Sequence, residues 1–311
     1  MKCTKTFVSL TVLVSILLAG CASMTTAATP SQAQDGGSWQ IILQTEGEKP
    51  MRMAAFLDEN TGYTSGPQAN KVHYTSDGGQ TWTKAESSPY CVFGLDIVDA
   101  QTVWLCALDD QGLSTDSGQT WQVGDGGQTW RIGAGVGGTG CLLSFTDAST
   151  GWILDSQKLR VTVDSGQTWE DVAVPEIGNI AAITLRAPGE GYVLDFDGTL
   201  HATQDGGKNW SSQSHLDLEK YEGLKFMPIA LSTAAMRFFD ADHGLIVLNL
   251  IGDEGKTKVV ALHTADGGQT WEDEVVTSDI GSLHLSPDGK VLTITSLFNS
   301  GTITVYRYSE G

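Results

Sequence analysis

Basic residues are scarce in this 311-residue chain: Lys and Arg together number 18 against 37 Asp and Glu, for a formal net charge of -19. Nucleic-acid backbones are gripped by clustered Lys and Arg, so nucleic acid is excluded as a partner. Cysteine is scarce too. Of five, Cys3 and Cys21 lie near the amino terminus, while Cys91, Cys106 and Cys141 are spread without CxxC spacing. That removes the usual zinc and dithiol patterns. An odd three cannot all pair, and buried thiols are the expectation, with a Cys91–Cys106 disulfide as the alternative. HExxH, GxSxG and phosphate-loop patterns are missing as well, so neither a metal nor a cofactor is expected. No apolar run reaches the ~20 residues needed to cross a bilayer.

The longest apolar run, Phe7 to Leu18, follows Lys2 and Lys5 and ends in Leu18-Ala19-Gly20-Cys21. Basic start, short apolar core and small residues before a cleavage point are the anatomy of a secretory signal. The tetrapeptide resembles the lipobox of bacterial lipoproteins. That resemblance implies cleavage after Gly20 and a diacylglyceryl group on the Cys21 thiol, with acylation of the new amino terminus. Two or more acyl chains make a stable anchor where one is marginal. Residues 1–20 are thus read as the signal and 21–38, small and polar, as a lipidated flexible tether. Residues 39–311 form the folded domain, held at the outer face of a bacterial membrane.

Within that domain one motif recurs: TSDGGQTW (Thr75–Trp82), STDSGQTW (Ser114–Trp121), TVDSGQTW (Thr162–Trp169), TQDGGKNW (Thr203–Trp210) and TADGGQTW (Thr264–Trp271). An acidic side chain can accept backbone N–H bonds within a turn, and Gly two positions later supplies a positive φ. The Trp that opens the next strand buries a large apolar surface. Asp77, Asp116, Asp164, Asp205 and Asp266, with Trp82, Trp121, Trp169, Trp210 and Trp271, are therefore read as structural, not catalytic. A second motif precedes each box, an apolar segment, a polar turn and another apolar segment: FLDENTGY from Phe56, IVDAQTVW from Ile97, FTDASTGW from Phe145, LRAPGEGY from Leu185 and FFDADHGL ending at Leu245. LSPDGKVL from Leu285 is a sixth such hairpin.

Box aspartates 77, 116, 164, 205 and 266 are spaced by 39, 48, 41 and 61 residues, the period of four-stranded propeller blades. The expected fold is all-β, a propeller of four-stranded antiparallel blades. Six blades are counted, with seven if Ser211–Ala235 hides a degenerate one. DSGQTWQVG from Asp116 is followed at once by DGGQTWRIG from Asp125; either copy can serve as the box. The last repeat stops one strand short, and Trp39–Leu43 is expected to supply it and close the ring.

The boxes resemble the Asp-box (BNR) signature of sialidases, sortilin-type receptors and photosystem II assembly-factor-like propellers. The whole domain is similar to the last branch, which pairs a GY or GW hairpin with a DGGxTW turn. That resemblance implies a non-enzymatic platform with a protein partner at the membrane surface. The sialidase branch implies instead an arginine clamp on a carboxylate. Arg52, Arg186 and Arg237 fall near inner strands, but no Tyr–Glu pair is placed as a glycosidase nucleophile. A glycoside hydrolase and a passive carbohydrate- or ligand-binding surface protein are therefore the alternatives.

Binding is expected on the face away from the boxes. The long connection Ser211–Ala235 lies there, with Tyr221 and Phe226 as exposed aromatics beside Lys220 and Lys225. So do acidic turns bearing Asp109, Asp110, Asp155, Asp195, Asp197, Asp253 and Glu254. They suit a cation or a basic segment, or are Asp residues favoured by turns for local reasons. His73 and His201, each four residues before a box Asp, read as repeat packing.

Overall fold

The computed structural model describes residues 37–46, 53–65, 71–90, 92–107, 110–124, 141–155, 158–174, 179–228, 232–297 and 301–310. Cys21, Arg52, Cys91, Asp109 and the second box copy from Asp125 lie outside them, as do the signal and nearly all of the tether.

The first strand is β1 (Ser38–Glu46). Blade 1 follows as β2 (Ala54–Phe56), β3 (Gly62–Ser65), β4 (Val72–Thr75) and β5 (Thr83–Lys84), and blade 2 as β6 (Val92–Ile97), β7 (Val103–Ala107), β8 (Gln111–Ser114) and β9 (Gln122–Gly124). Blade 3 is β10 (Leu142–Phe145), β11 (Gly151–Asp155), β12 (Lys158–Thr162) and β13 (Glu170–Val172). Blade 4 is β14 (Ile180–Ala187), β15 (Glu190–Asp195), β16 (Thr199–Thr203) and β17 (Ser211–His215). A short strand β18 (Leu224–Phe226) precedes blade 5, which is β19 (Ala234–Phe238), β20 (His243–Gly252), β21 (Thr257–Ala265) and β22 (Glu272–Thr277). Blade 6 is β23 (Gly281–Leu285), β24 (Val291–Ser296), β25 (Thr302–Ser309) and, returning from the start of the domain, β1.

Six sheets therefore settle the count at six blades. β1 pairs antiparallel with β25 from Ser38↔Ser309 to Glu46↔Thr302, so the ring closes with one strand drawn from the opposite end of the chain. The long connection hides no seventh blade: β18 pairs with the extended end of β20, Phe226 opposite Leu250. Of the tandem boxes, the first is the working turn, because Ser114–Trp121 joins β8 to β9. Blade 6 carries no box for a topological reason. Its third and fourth strands, β25 and β1, are not consecutive in the chain, so no turn exists there to be fastened.

Each box folds in the same way. At the first, Thr75 Oγ1 donates to Asp77 Oδ1 at 2.7 Å and accepts from Gly79 N at 2.9 Å, while Thr81 donates its N–H to Oδ1 (2.9 Å) and its hydroxyl to Oδ2 (2.7 Å). Asn209 replaces that Thr in the fourth box and donates its amide to Asp205 at 2.7 Å. The boxes also tie turn to turn: Gly78, Ser117, Ser165, Gly206 and Gly267 each donate N–H to a carbonyl in the first hairpin of their own blade. Gly79 and Gly268, at φ +78 and +86, lie so close to the preceding blade that a Cβ would come within 2.8 Å of Thr45 and Leu200 respectively. Only Gly satisfies both the positive φ and the close approach.

Those bonds hold the box carboxyls well below the usual range. Asp77, Asp205 and Asp266 sit at about 2, lowered first by the side-chain hydrogen bonds from Thr81, Asn209 and Thr270 and then by the backbone N–H of the same residues. A folded-state pKa below the unfolded value means the unfolded chain binds more protons, so stability rises with pH and is lost as pH falls. The box contribution is complete above about pH 4 and is lost as pH drops towards 2. Thermal unfolding is expected to show a melting temperature falling across that window. In a variant with Asp77, Asp205 and Asp266 all changed to Asn, the fall should be shallower; an equal slope would contradict this account.

Blades pack through aromatic triads. Trp104 of β7 stacks on Phe145 of β10 at 4.1 Å, and Trp169 meets the same Phe edge-on at 6.4 Å. Tyr192, Phe238 and Trp271 repeat the arrangement one interface later but one, at 3.7 and 6.2 Å. Half-buried box Trp residues thus brace an aromatic pair that is itself largely buried.

Candidate functional site

The innermost strands β2, β6, β10, β14, β19 and β23 touch in sequence and enclose the ring axis. In each, one apolar residue pairs across the first hairpin: Phe56, Ile97, Phe145, Leu185, Phe238 and Leu285. The residues just ahead of these are Ala55, Asp96, Ser144, Thr184, Arg237 and His284. Strand alternation puts a residue's neighbour on the other face of its sheet, so these six occupy equivalent positions around the axis. Two bridge to the next blade: Asp96 Oδ2 accepts from Phe145 N at 2.7 Å, and Ser144 Oγ from Leu185 N at 2.8 Å.

Three members carry charge or titrate. Arg237 of blade 5 donates through Nη2 to Asp96 Oδ1 of blade 2. Those blades are three apart in a ring of six, so the ion pair is a strut across the axis. Burial pushes the Asp96 carboxyl up, with Arg237 and the Phe145 N–H pulling the other way. His284 of blade 6 lines the same cavity at 8 % exposure, and neither ring nitrogen has a hydrogen-bond partner. Burial, with the Arg237 charge adding to it, holds His284 down at about 3, so the imidazole is neutral at pH 7.

The cavity these residues line has a volume of about 70 Å³. Met53, Phe93 and Ala234, from the leading ends of inner strands, line it together with Cys141, Met236 and Leu283. Its walls are thus mostly apolar, with the polar groups gathered at Asp96, Arg237 and His284. No group of three or more His, Cys, Asp or Glu is placed to hold a metal among the described residues.

A disulfide joins Cys106 of β7 to Cys141 at the head of β10, 6.5 Å between Cα atoms. Neither buried thiols nor the Cys91–Cys106 pair describes these two residues. Sequence spacing could not reveal the bridge, since propeller curvature alone brings a second strand against the next blade's first. Gly94 makes room for it: a Cβ there would lie 2.8 Å from Cys106 Sγ and 2.7 Å from the Cys141 carbonyl. Closing a loop of sequence separation 35 limits the unfolded chain, and Cys106→Ser/Cys141→Ser is expected to cost about 2–4 kcal/mol in urea unfolding. Peptide mapping without reductant should recover the linked pair.

The other sequence candidates are not gathered at the axis. Arg186 is paired with Glu190 in its own hairpin and does not line the cavity, so it forms no clamp with Arg237. Tyr221 is buried, its hydroxyl donating to Asp273, and Lys220 pairs with the same carboxylate. Phe226 is half-buried against Phe196 at 4.9 Å. The expected exposed aromatics of Ser211–Ala235 are instead part of the packing of blades 4 and 5, because pairing of β18 with β20 folds the connection down. In the acidic turns, Asp195 accepts from Thr199 N at 2.8 Å and lies 3.2 Å from His201, a local turn role. No sequence motif marks Asp96 or His284. Their only signal was a polar residue where Ala, Ser or Thr stands in other blades.

The family described as Photosynthesis system II assembly factor YCF48 matches residues 161–280, from β12 through blade 5. Among solved structures, YCF48 from Cyanidioschyzon merolae is 13 % identical, with 87 % of this chain and 98 % of that one covered at a TM-score of 0.51. A GH74 xyloglucanase from Xanthomonas campestris is likewise 13 % identical at 0.52, over 87 % of this chain. This chain spans 53 % of that enzyme. No curated protein matches by sequence. At such identities the solved structures speak for the fold alone. The chain is a six-bladed Asp-box β-propeller similar to the photosystem II assembly factor YCF48, with the family match lying in residues 161–280.

Proposed function

We propose that this propeller is a non-enzymatic binding scaffold, lipid-anchored through Cys21 at the outer face of a bacterial membrane, and that it holds a membrane or surface protein. The observation that carries the reading is the family match over residues 161–280. Two further features support it. The Asp-box carboxylates are consumed within their own turns, so the repeated acids serve architecture. The leader Phe7–Cys21 supplies the anchor.

Crosslinking on intact cells followed by affinity capture tests the scaffold. One recurrent membrane protein is expected, retained in the presence of excess soluble glycan. Recovery of only soluble glycans or peptides would instead favour a passive surface binder. Saturable turnover of a fluorogenic sialoside by the purified, folded protein would establish the hydrolase reading. Incorporation of labelled fatty acid, abolished in Cys21→Ser, tests the anchor separately.

A further inference from the structure

We propose that the axial cavity binds a small carboxylate anion of short-chain fatty-acid size, with Arg237 and His284 donating to the carboxylate and the apolar walls holding its tail. The inference stands apart from the scaffold reading.

His284 carries the argument. An imidazole has one donor and one acceptor when neutral and two donors when charged, and buried polar atoms without partners are rare in folded proteins. Here both nitrogens are unpartnered in a side chain more than nine-tenths buried. Arg237 offers five N–H donors, and one of its nitrogens, Nη2, is engaged by Asp96. A cavity of about 70 Å³ has room for roughly five water-sized occupants. A ligand confined to hydrogen bonding would leave Met53, Met236, Leu283 and Ala182 facing a polar surface. A short alkyl tail satisfies them.

Charge selects the head group. The charged and titratable groups lining the cavity are Asp96 from β6, Arg237 from β19 and His284 from β23. Asp96 and Arg237 cancel. An incoming carboxylate is balanced when His284 takes up a proton, so anion and proton enter together. With that pair neutral, a cation would find no counter-charge in the cavity, and a neutral alcohol, although its oxygen can accept from the guanidinium, would leave the protonated imidazole without one.

The test uses the intact protein in detergent, labelled with 15N at its six histidines, and follows the ring nitrogens on addition of acetate, propionate or butyrate at constant ionic strength. Propionate is expected to move the His284 resonances towards the imidazolium position, saturably. The affinity should rise by up to tenfold for each pH unit lowered between 8 and 6. His284→Phe should weaken binding at least tenfold with the melting temperature kept, and Arg237→Lys should weaken it while retaining the strut's charge. An unmoved His284, an equal response to chloride, or a site holding only ordered water at saturating propionate would overturn the proposal.

Discussion

Replacing Arg237 by Met is expected to lower the unfolding free energy by about 3–5 kcal/mol, because it leaves the Asp96 carboxylate buried without its counter-charge. Asp96 is 2 % exposed and its second oxygen is already engaged by the Phe145 N–H, so it cannot turn to solvent. The sign of the pH dependence follows from burial. A carboxyl whose folded pKa lies above its unfolded value binds a proton more readily when folded, so stability rises as pH falls. Arg237→Met should therefore recover part of its loss on acidification from pH 7 towards 5, before the box aspartates begin to titrate. Asp96→Asn added to Arg237→Met removes the buried charge while keeping an acceptor for Phe145, and should restore most of the loss at pH 7. A single variant as stable as the parent in urea unfolding would show that the strut is not desolvated.

Trp104→Ala should be comparably severe, at about 3–5 kcal/mol for a large aromatic removed from a packed interior. Trp104 is 1 % exposed and stacked on Phe145 between blades 2 and 3, so its loss opens a cavity that neither rigid sheet can collapse into. Trp104→Phe should cost far less, since it keeps the stacking partner and removes an indole N–H that has no acceptor. Trp169→Ala, in the box of blade 3, should fall below Trp104→Ala because that ring is only half-buried. Equal losses at the two positions would contradict the view that Trp169 braces this interface from outside.

The repeats were legible because turns and hairpins are local. A Thr, an Asp two residues on, a Gly and a Trp fold their own loop with contacts four residues apart or fewer, so the motif carries its structure wherever it occurs. The closing strand was legible by subtraction: a ring of six four-stranded blades needs one more strand than the carboxyl end supplies, and Trp39–Leu43 had no repeat of its own. The cavity was not legible. Arg237 and Asp96 are 141 residues apart, and nothing near either in the chain announces the other.

The sequence by itself determined the blade, its box and which end of each blade the boxes occupy, since these follow from short-range hydrogen bonding and strand alternation; six blades rather than seven was settled by the sheets. Only the tertiary structure decided which tandem box is used, that Cys106 bonds Cys141, that Tyr221 is buried, and that Asp96, Arg237 and His284 face one another. Each of those depends on how six sheets curve round a common axis, and that curvature arises from packing between blades, which no local segment encodes.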